Sequence, residues 1–512
     1  MAFRFVFFVM MIPCFVGATV RAQNSPSGTP PSIAGKVTTP VSSGTGAWTE
    51  EQIVTMNRIR DAALSDPWAW NELMYLTDSI GPRLSGSPQA DAAVQWVAAQ
   101  MRAIGADVSL EPTTVPHWVR GEESAALTVW PGMTPHTTQK IVITALGNSV
   151  ATPDAGQVAP VIVVSSFAEL ERLGPGKVKG RIVLFNRPFD KELTAEGRGL
   201  DAYIQNAPYR MSGAAVAASS GAVAVLVRSL GSGDLRIPHT GMMLYKDSPK
   251  IPAAAVTSED ADLIARLAKR GPVVMRLLLT PQSFPPVTSY NVIADWKGSD
   301  HPEQVVIVSG HLDSWDLGTG AVDDGSGLVT AMETIQLLQS LGIHPHRTIR
   351  LVAWMNEENG LTGSTTYASD HARDFCNYIA AMESDTGSDH PAGLFVSSSP
   401  GLLQYLTPLT PVLEPFGAGT IAVPEDLPSE DIAPLVEAGV PGITPAQDLR
   451  YYFNYHHTSA DTLDKVNLHY LAENAAVIAV TAYALADASN PPPTGQSTTQ
   501  ACSPAKRTAS KP

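Results

Sequence analysis

The spacing of apolar residues changes several times along the chain, and each change marks a different kind of element. Ala93, Val94, Val97, Met101 and Ile104 recur at helical intervals over 90–104 and stop at Gly105, which predicts an amphipathic helix packed on a sheet. Thr49 with Gln52 forms a capping box that opens a helix running to about residue 65. Short apolar runs follow at 181–185, 222–227 and 251–256, interleaved with a small-residue helix over 214–220 and a helix through residue 270 with Ser258 as its N-cap. From Tyr290 the order becomes strand, loop, helix. Residues 304–309 and 348–355 read as buried strands, and 379–382 as a shorter one. Residues 325–341 read as a helix with Leu328, Met332, Ile335 and Leu338 on its inner stripe. This alternation predicts an α/β fold with a mixed, mostly parallel central sheet and helices on both faces.

The texture also divides the chain. Residues 1–22 read as a signal peptide, with Arg4, an apolar stretch over 5–18 and small residues Val20 and Ala22 at the cleavage positions. Export to the medium or a periplasm is the expectation, and no later stretch reads as long and apolar enough to cross a membrane. Residues 23–48 form a Ser-, Pro- and Thr-rich linker and 491–512 a disordered tail. Between them, 49–124 and 287–490 make one domain, interrupted by an inserted smaller domain over 125–286.

Composition narrows the function. Hydrophobic residues make up 44% of the 512, ample for a core. The formal charge is -15, and -17 without Arg4 and Arg21 of the leader (-15 minus 2), so a nucleic-acid partner is not expected. Of three cysteines, Cys14 leaves with the leader, and Cys376 and Cys502 are too few for a disulfide framework.

The chemistry is concentrated in the C-terminal half. His311, Asp323, Glu358, Asp385 and His457 stand in order, each but Asp323 and His457 just past a predicted strand end. Ligands collect at such strand ends in parallel sheets. Two imidazoles and three carboxylates suit two zinc ions that share one carboxylate. With one hydroxide, the three carboxylates neutralise two Zn2+, as a buried site requires. Singly these residues are ordinary: a His-x-Asp pair on a surface, Asp324 capping a helix, an exposed Glu357-Glu358 pair, a loop with His456-His457. Spacing does not tell which glutamate binds metal, nor which histidine of the doublet. No Gly-x-Ser-x-Gly occurs, and Gly318-x-Gly320 lacks the third glycine of a dinucleotide loop.

The segment from His311 through Gly327, with Asn356–Gly360, Met382–Gly387 and His456–Thr462, resembles the metal-binding frames of the co-catalytic dizinc exopeptidases, in particular the carboxypeptidase Q branch. The similarity runs over about 62–487 and includes the inserted block, which resembles a protease-associated domain. The resemblance implies a zinc exopeptidase fold and two zincs per chain, one on His311 and Asp385, the other on Glu358 and His457, with Asp323 bridging. It implies Glu357 as general base and acid acting on a metal-bridging hydroxide, and Asp313 as a carboxylate orienting His311. Small unblocked peptides are the implied substrates, and a homodimer the implied assembly. A single-zinc glutaminyl cyclase and a metal-free receptor are the competing readings of such a fold.

Overall fold

The computed structural model describes residues 48–233, 235–399, 401–425 and 427–492. The expected leader, the linker up to residue 47, Cys502 and the tail from residue 493 lie outside the described residues.

Two eight-stranded mixed sheets organise the chain. The first contains β1 (Asp107–Val119), β2 (Gln282–Trp296), β3 (His301–His311), β4 (Arg347–Trp354), β5 (Tyr378–Glu383), β6 (Pro391–Val396), β7 (Thr420–Ala422) and β8 (Gly442–Gln447). Their spatial order is β1-β2-β4-β3-β5-β8-β6-β7. The middle four, β4, β3, β5 and β8, run parallel. Antiparallel partners flank them, with β2 on β4 and β6 on β8.

Alternation along the strands explains why both faces are covered. Val306 and Val308 join Ile349, Leu351 and Ala353 in one core, which also takes in helices Pro88–Ile104, Ser326–Ser340 and Leu468–Ala486. Val305 and Ile307 join Val352 and Trp354 on the other face, under Tyr367 and Leu435 of helices Thr362–Asp370 and Ala433–Glu437. Each such side chain contributes roughly 1.5–3 kcal/mol by burial. A one-residue slip would exchange the two sets, so the register of Val308 against Leu351 and Met382 is fixed.

The expected helix over 90–104 forms as Pro88–Ile104, closed by Gly105 at φ 97°. The Thr49–Gln52 capping box opens Glu50–Ala63. Three readings are corrected. The cap of helix Ser258–Ala268 is Thr257, whose hydroxyl accepts the Asp260 N–H, so Ser258 is already helical. The small-residue helix is the second half of Gly199–Ser219, whose first half is hidden in the sequence by Pro208. Helix Leu468–Ala486 is long and apolar enough to cross a bilayer, but it is a core helix, buried from Asn474 through Ala486.

The second sheet is drawn wholly from residues 123–279, between β1 and β2. Trp315, from the loop after β3, sits in its core beside Leu127, Leu184 and Leu226. Gly147 permits this: a Cβ there would lie 2.1 Å from the Trp315 ring.

Candidate metal centre

The four parallel strands deliver every candidate donor to one edge of the sheet. His311 ends β3, Glu357 and Glu358 follow β4, Asp385 follows β5, and His457 lies beyond β8. Asp323 stands on the loop that leads from β3 into helix Ser326–Ser340.

Asp323 lies between two sets of donors. Its Oδ1 is 3.1 Å from His311 Nε2, which is 3.3 Å from Asp385 Oδ1. Its Oδ2 is 3.4 Å from His457 Nε2, which is 2.9 Å from Glu358 Oε2. Asp323 Oδ2 and Glu358 Oε2 are buried and accept no hydrogen bond from the described residues. Orphaned buried oxygens facing imidazole nitrogens fit divalent cations. His311, Asp323 and Asp385 form one compact group, and Asp323, His456 and His457 another.

The two glutamates differ in placement. The Glu358 side chain is 1% exposed and turned to His457, and its Oε1 accepts the Trp315 N–H at 3.1 Å. The Glu357 side chain is 16% exposed, 3.9 Å from His311 Nε2.

Electrostatics follow from burial and crowding. Burial pushes Glu357 well above the usual carboxylate range; His311 opposes this, and Asp385 and Asp323 reinforce it. Burial would push His311 down, but Asp385 and Asp323 carry it well above its ordinary value. Asp323 is held below the usual range despite burial, chiefly through its bond to His311. Burial pushes His456 down to about 4 and His457 well down, so both are neutral at pH 7 with a lone pair to offer.

The surrounding groups were not all visible in the sequence. His311 Nδ1 lies 2.9 Å from the main-chain carbonyl of Asp313 rather than its carboxylate. That is a correction: the Asp313 carboxylate instead accepts the N–H groups of Asn356 and Glu357, at 2.7 and 3.1 Å. The two roles separate because β3 and β4 are paired neighbours, which brings the main chain after β4 against Asp313. The N-cap position of helix Ser326–Ser340 is Gly325 rather than the expected Asp324; Asp324 instead accepts the Gly327 N–H with one oxygen and the His311 N–H with the other. Arg83 is fully buried and donates to the carbonyls of Leu312, Thr319 and Gly320, clamping the loop between His311 and Asp323. From the second sheet's segment, Thr240 donates its N–H to the His457 carbonyl at 2.9 Å, and its own carbonyl lies 3.3 Å from His457 Nδ1. Arg120 ties this segment to the loop, pairing with Asp316 and donating to Ala145 O. No local motif announces Arg83, Arg120 or Thr240.

A mixed sheet with buried carboxylates and imidazoles gathered at the ends of its parallel strands makes a candidate metal-binding centre. The model of peptidase family M28 matches residues 291–482. Carboxypeptidase Q of Bos taurus is 40% identical over 422 residues, covering 82% of this chain and 85% of that one. Carboxypeptidase Q of Homo sapiens is 39% identical over the same shares. Among solved structures, a peptidase M28 precursor from Shewanella amazonensis superposes with a TM-score of 0.81 at 35% identity, covering 87% of this chain and 98% of that one. A zinc aminopeptidase from Bacillus subtilis shares the fold, with a TM-score of 0.59 at 21% identity over 81% of this chain and 94% of that one. The chain belongs to peptidase family M28, as a zinc metallopeptidase homologous to carboxypeptidase Q.

Proposed function

We propose that the protein is an exported exopeptidase that hydrolyses dipeptides or short unblocked peptides at a two-zinc centre. The carrying observation is the placement of Asp323, with one oxygen toward His311 and Asp385 and the other toward His457 and Glu358. In this reading those five residues hold the ions and Asp323 is shared. When bound, zinc would supply Lewis acidity and lower the pKa of water.

The remaining work falls to the chain. Glu357, more exposed than Glu358 and not drawn to His457, takes the proton from the attacking water and returns it to the leaving amine. Its raised proton affinity suits a group that must both accept and give near neutral pH. Asp313 fixes the main chain at Glu357, and so aims the base. A cavity of ≈ 120 Å³ beside the centre, between Val322, Thr386 and Tyr452, gives room for one substrate side chain. The first 22 residues support export, and the carboxypeptidase Q likeness supports a homodimer.

Purified protein should contain two zincs per chain and hydrolyse dipeptides in a chelator-sensitive manner. Purified protein that binds zinc yet leaves a broad dipeptide panel intact would overturn the reading.

A further inference from the structure

One charge on the wall of the cavity beside the centre has no counterpart among the described residues. Val322 and Thr386 line this cavity. They are the chain neighbours of Asp323 and Asp385, so the space lies next to the proposed ions. Asp389, three tyrosines and Lys465 give the wall its charge and its aromatic surface. Gly387 shapes the space: its φ is 82°, and a Cβ there would lie 3.1 Å from both Val322 and Tyr452.

The basic groups around Asp389 are already matched. Lys465 Nζ contacts Asp464 and lies 5.6 Å from the centroid of the Tyr455 ring. Arg450 is held by both oxygens of Asp448, with Nε at 2.9 and 2.8 Å. His390, the next residue, is spent on Glu473, with Nδ1 2.7 Å from its Oε2. Asp389 has no such partner. Its main-chain carbonyl accepts the Asn474 side-chain N–H at 2.9 Å. Its half-buried carboxylate receives no hydrogen bond or ion pair from the described residues. Burial and the charge of Asp448 push this carboxyl up, against Arg450, and a cation seated beside it would relieve that penalty.

Resting on the exopeptidase reading above, we propose that this cavity takes the side chain of a substrate lysine or arginine, and that Asp389 is the residue that selects it. The apolar stem packs along the tyrosine rings while the cationic head meets the carboxylate. A glutamate would face Asp389 as a like charge. A leucine would bury the carboxylate further and leave it unpaired. Lys465 does not reverse the preference, because Asp464 already answers its charge.

The test is kinetics on dipeptides that carry lysine, arginine, leucine or glutamate on one side of the bond and alanine on the other, in both orders. In at least one order, kcat/KM for lysine and arginine should exceed that for leucine roughly 10-fold or more, with glutamate the poorest. Asp389→Asn should lower the lysine-to-leucine ratio by roughly 10-fold. Equal rates for lysine and leucine overturn the proposal, as does a preference for glutamate or a variant that keeps the wild-type ratio. If Asp389→Asn fails to fold, the wild-type panel decides alone. Calorimetric binding of the same dipeptides to wild-type protein separates the two readings. Lysine dipeptides bound more tightly than leucine ones, yet left uncleaved, would sink the exopeptidase reading and spare this inference. Cleavage of the whole panel without preference would do the reverse, and no cleavage with no difference in binding sinks both.

Discussion

Asp461 grips the main chain of Asp323: one of its oxygens accepts the Asp323 N–H at 3.2 Å, and the other accepts that of Val322 at 2.6 Å. One aspartate thus sets from behind the aspartate whose side chain faces both donor sets. Burial, with repulsion from Asp323, raises Asp461 to about 7 against those two bonds. Asp461→Ala should cost roughly 10- to 100-fold in zinc affinity or activity. Asp461→Asn, which keeps one acceptor oxygen, should fall between. Zinc titration and dipeptide kinetics measure both, and wild-type behaviour of the alanine variant would contradict the role.

Glu357→Gln separates chemistry from metal binding. The amide cannot take a proton, so kcat should drop at least roughly 100-fold. Zinc content should stay at the wild-type value, because the five proposed donors are untouched. Retained turnover would remove Glu357 as the base; lost zinc would make it a ligand instead.

Arg83→Met leaves three carbonyls, at Leu312, Thr319 and Gly320, without their donor, two of these bonds being buried. Hydrogen bonds to charged groups contribute about 1.5–3 kcal/mol each. The variant should lose at least about 3 kcal/mol of stability even after zinc is stripped, read by denaturant unfolding. Arg83→Lys should recover only part, because an ammonium cannot reach three carbonyls in the planar fork of a guanidinium. An unfolding midpoint unchanged in Arg83→Met would refute the clamp.

His371 joins helix Thr362–Asp370 to β1, with Nε2 3.0 Å from Glu111 Oε1 and its ring stacked on Tyr367. Burial alone would lower its pKa, but the bond to Glu111 carries it above the ordinary value. A raised folded-state pKa stabilises fully below the unfolded pKa of about 6.5 and fades as pH rises through the folded value. His371→Gln should therefore destabilise more at pH 5.5 than at pH 9, by melting temperature at both. An equal loss at the two pH values would exclude the charged pair.

Much of the centre was legible because its residues sit in short local frames at strand ends. His311 ends the strand that carries the β-branched run Val305 to Val308, and Glu357-Glu358 and Asp385 follow two further mainly apolar strands. The sheet was legible for a related reason: Val305 to Val308 are apolar throughout, and Ile349 to Trp354 are apolar except for Arg350, which pairs with Asp295, as strands covered on both faces require. What escaped depends on distant parts of the fold. Arg83 lies between Pro82 and Leu84 with no periodic pattern around it, and its partners are more than 200 positions away. Thr240 is one hydroxyl residue among many until the second sheet's segment is laid against His457. Asp313 was expected to act on His311 two positions back, but pairing of β3 with β4 turned its carboxylate to Asn356 and Glu357. Ser258 and Thr257 are adjacent hydroxyl residues, and only backbone geometry separates cap from first turn.

Strand order has a bearing on how the protein is made. β8 is the last of the four parallel strands to be synthesised, and the segment after it carries both imidazoles of the doublet. A nascent chain paused before that point holds His311, Asp323, Glu358 and Asp385 but has nothing to complete the other side. On the two-zinc reading, hydrolytic power therefore arrives late in translation, after most of the polypeptide has been made.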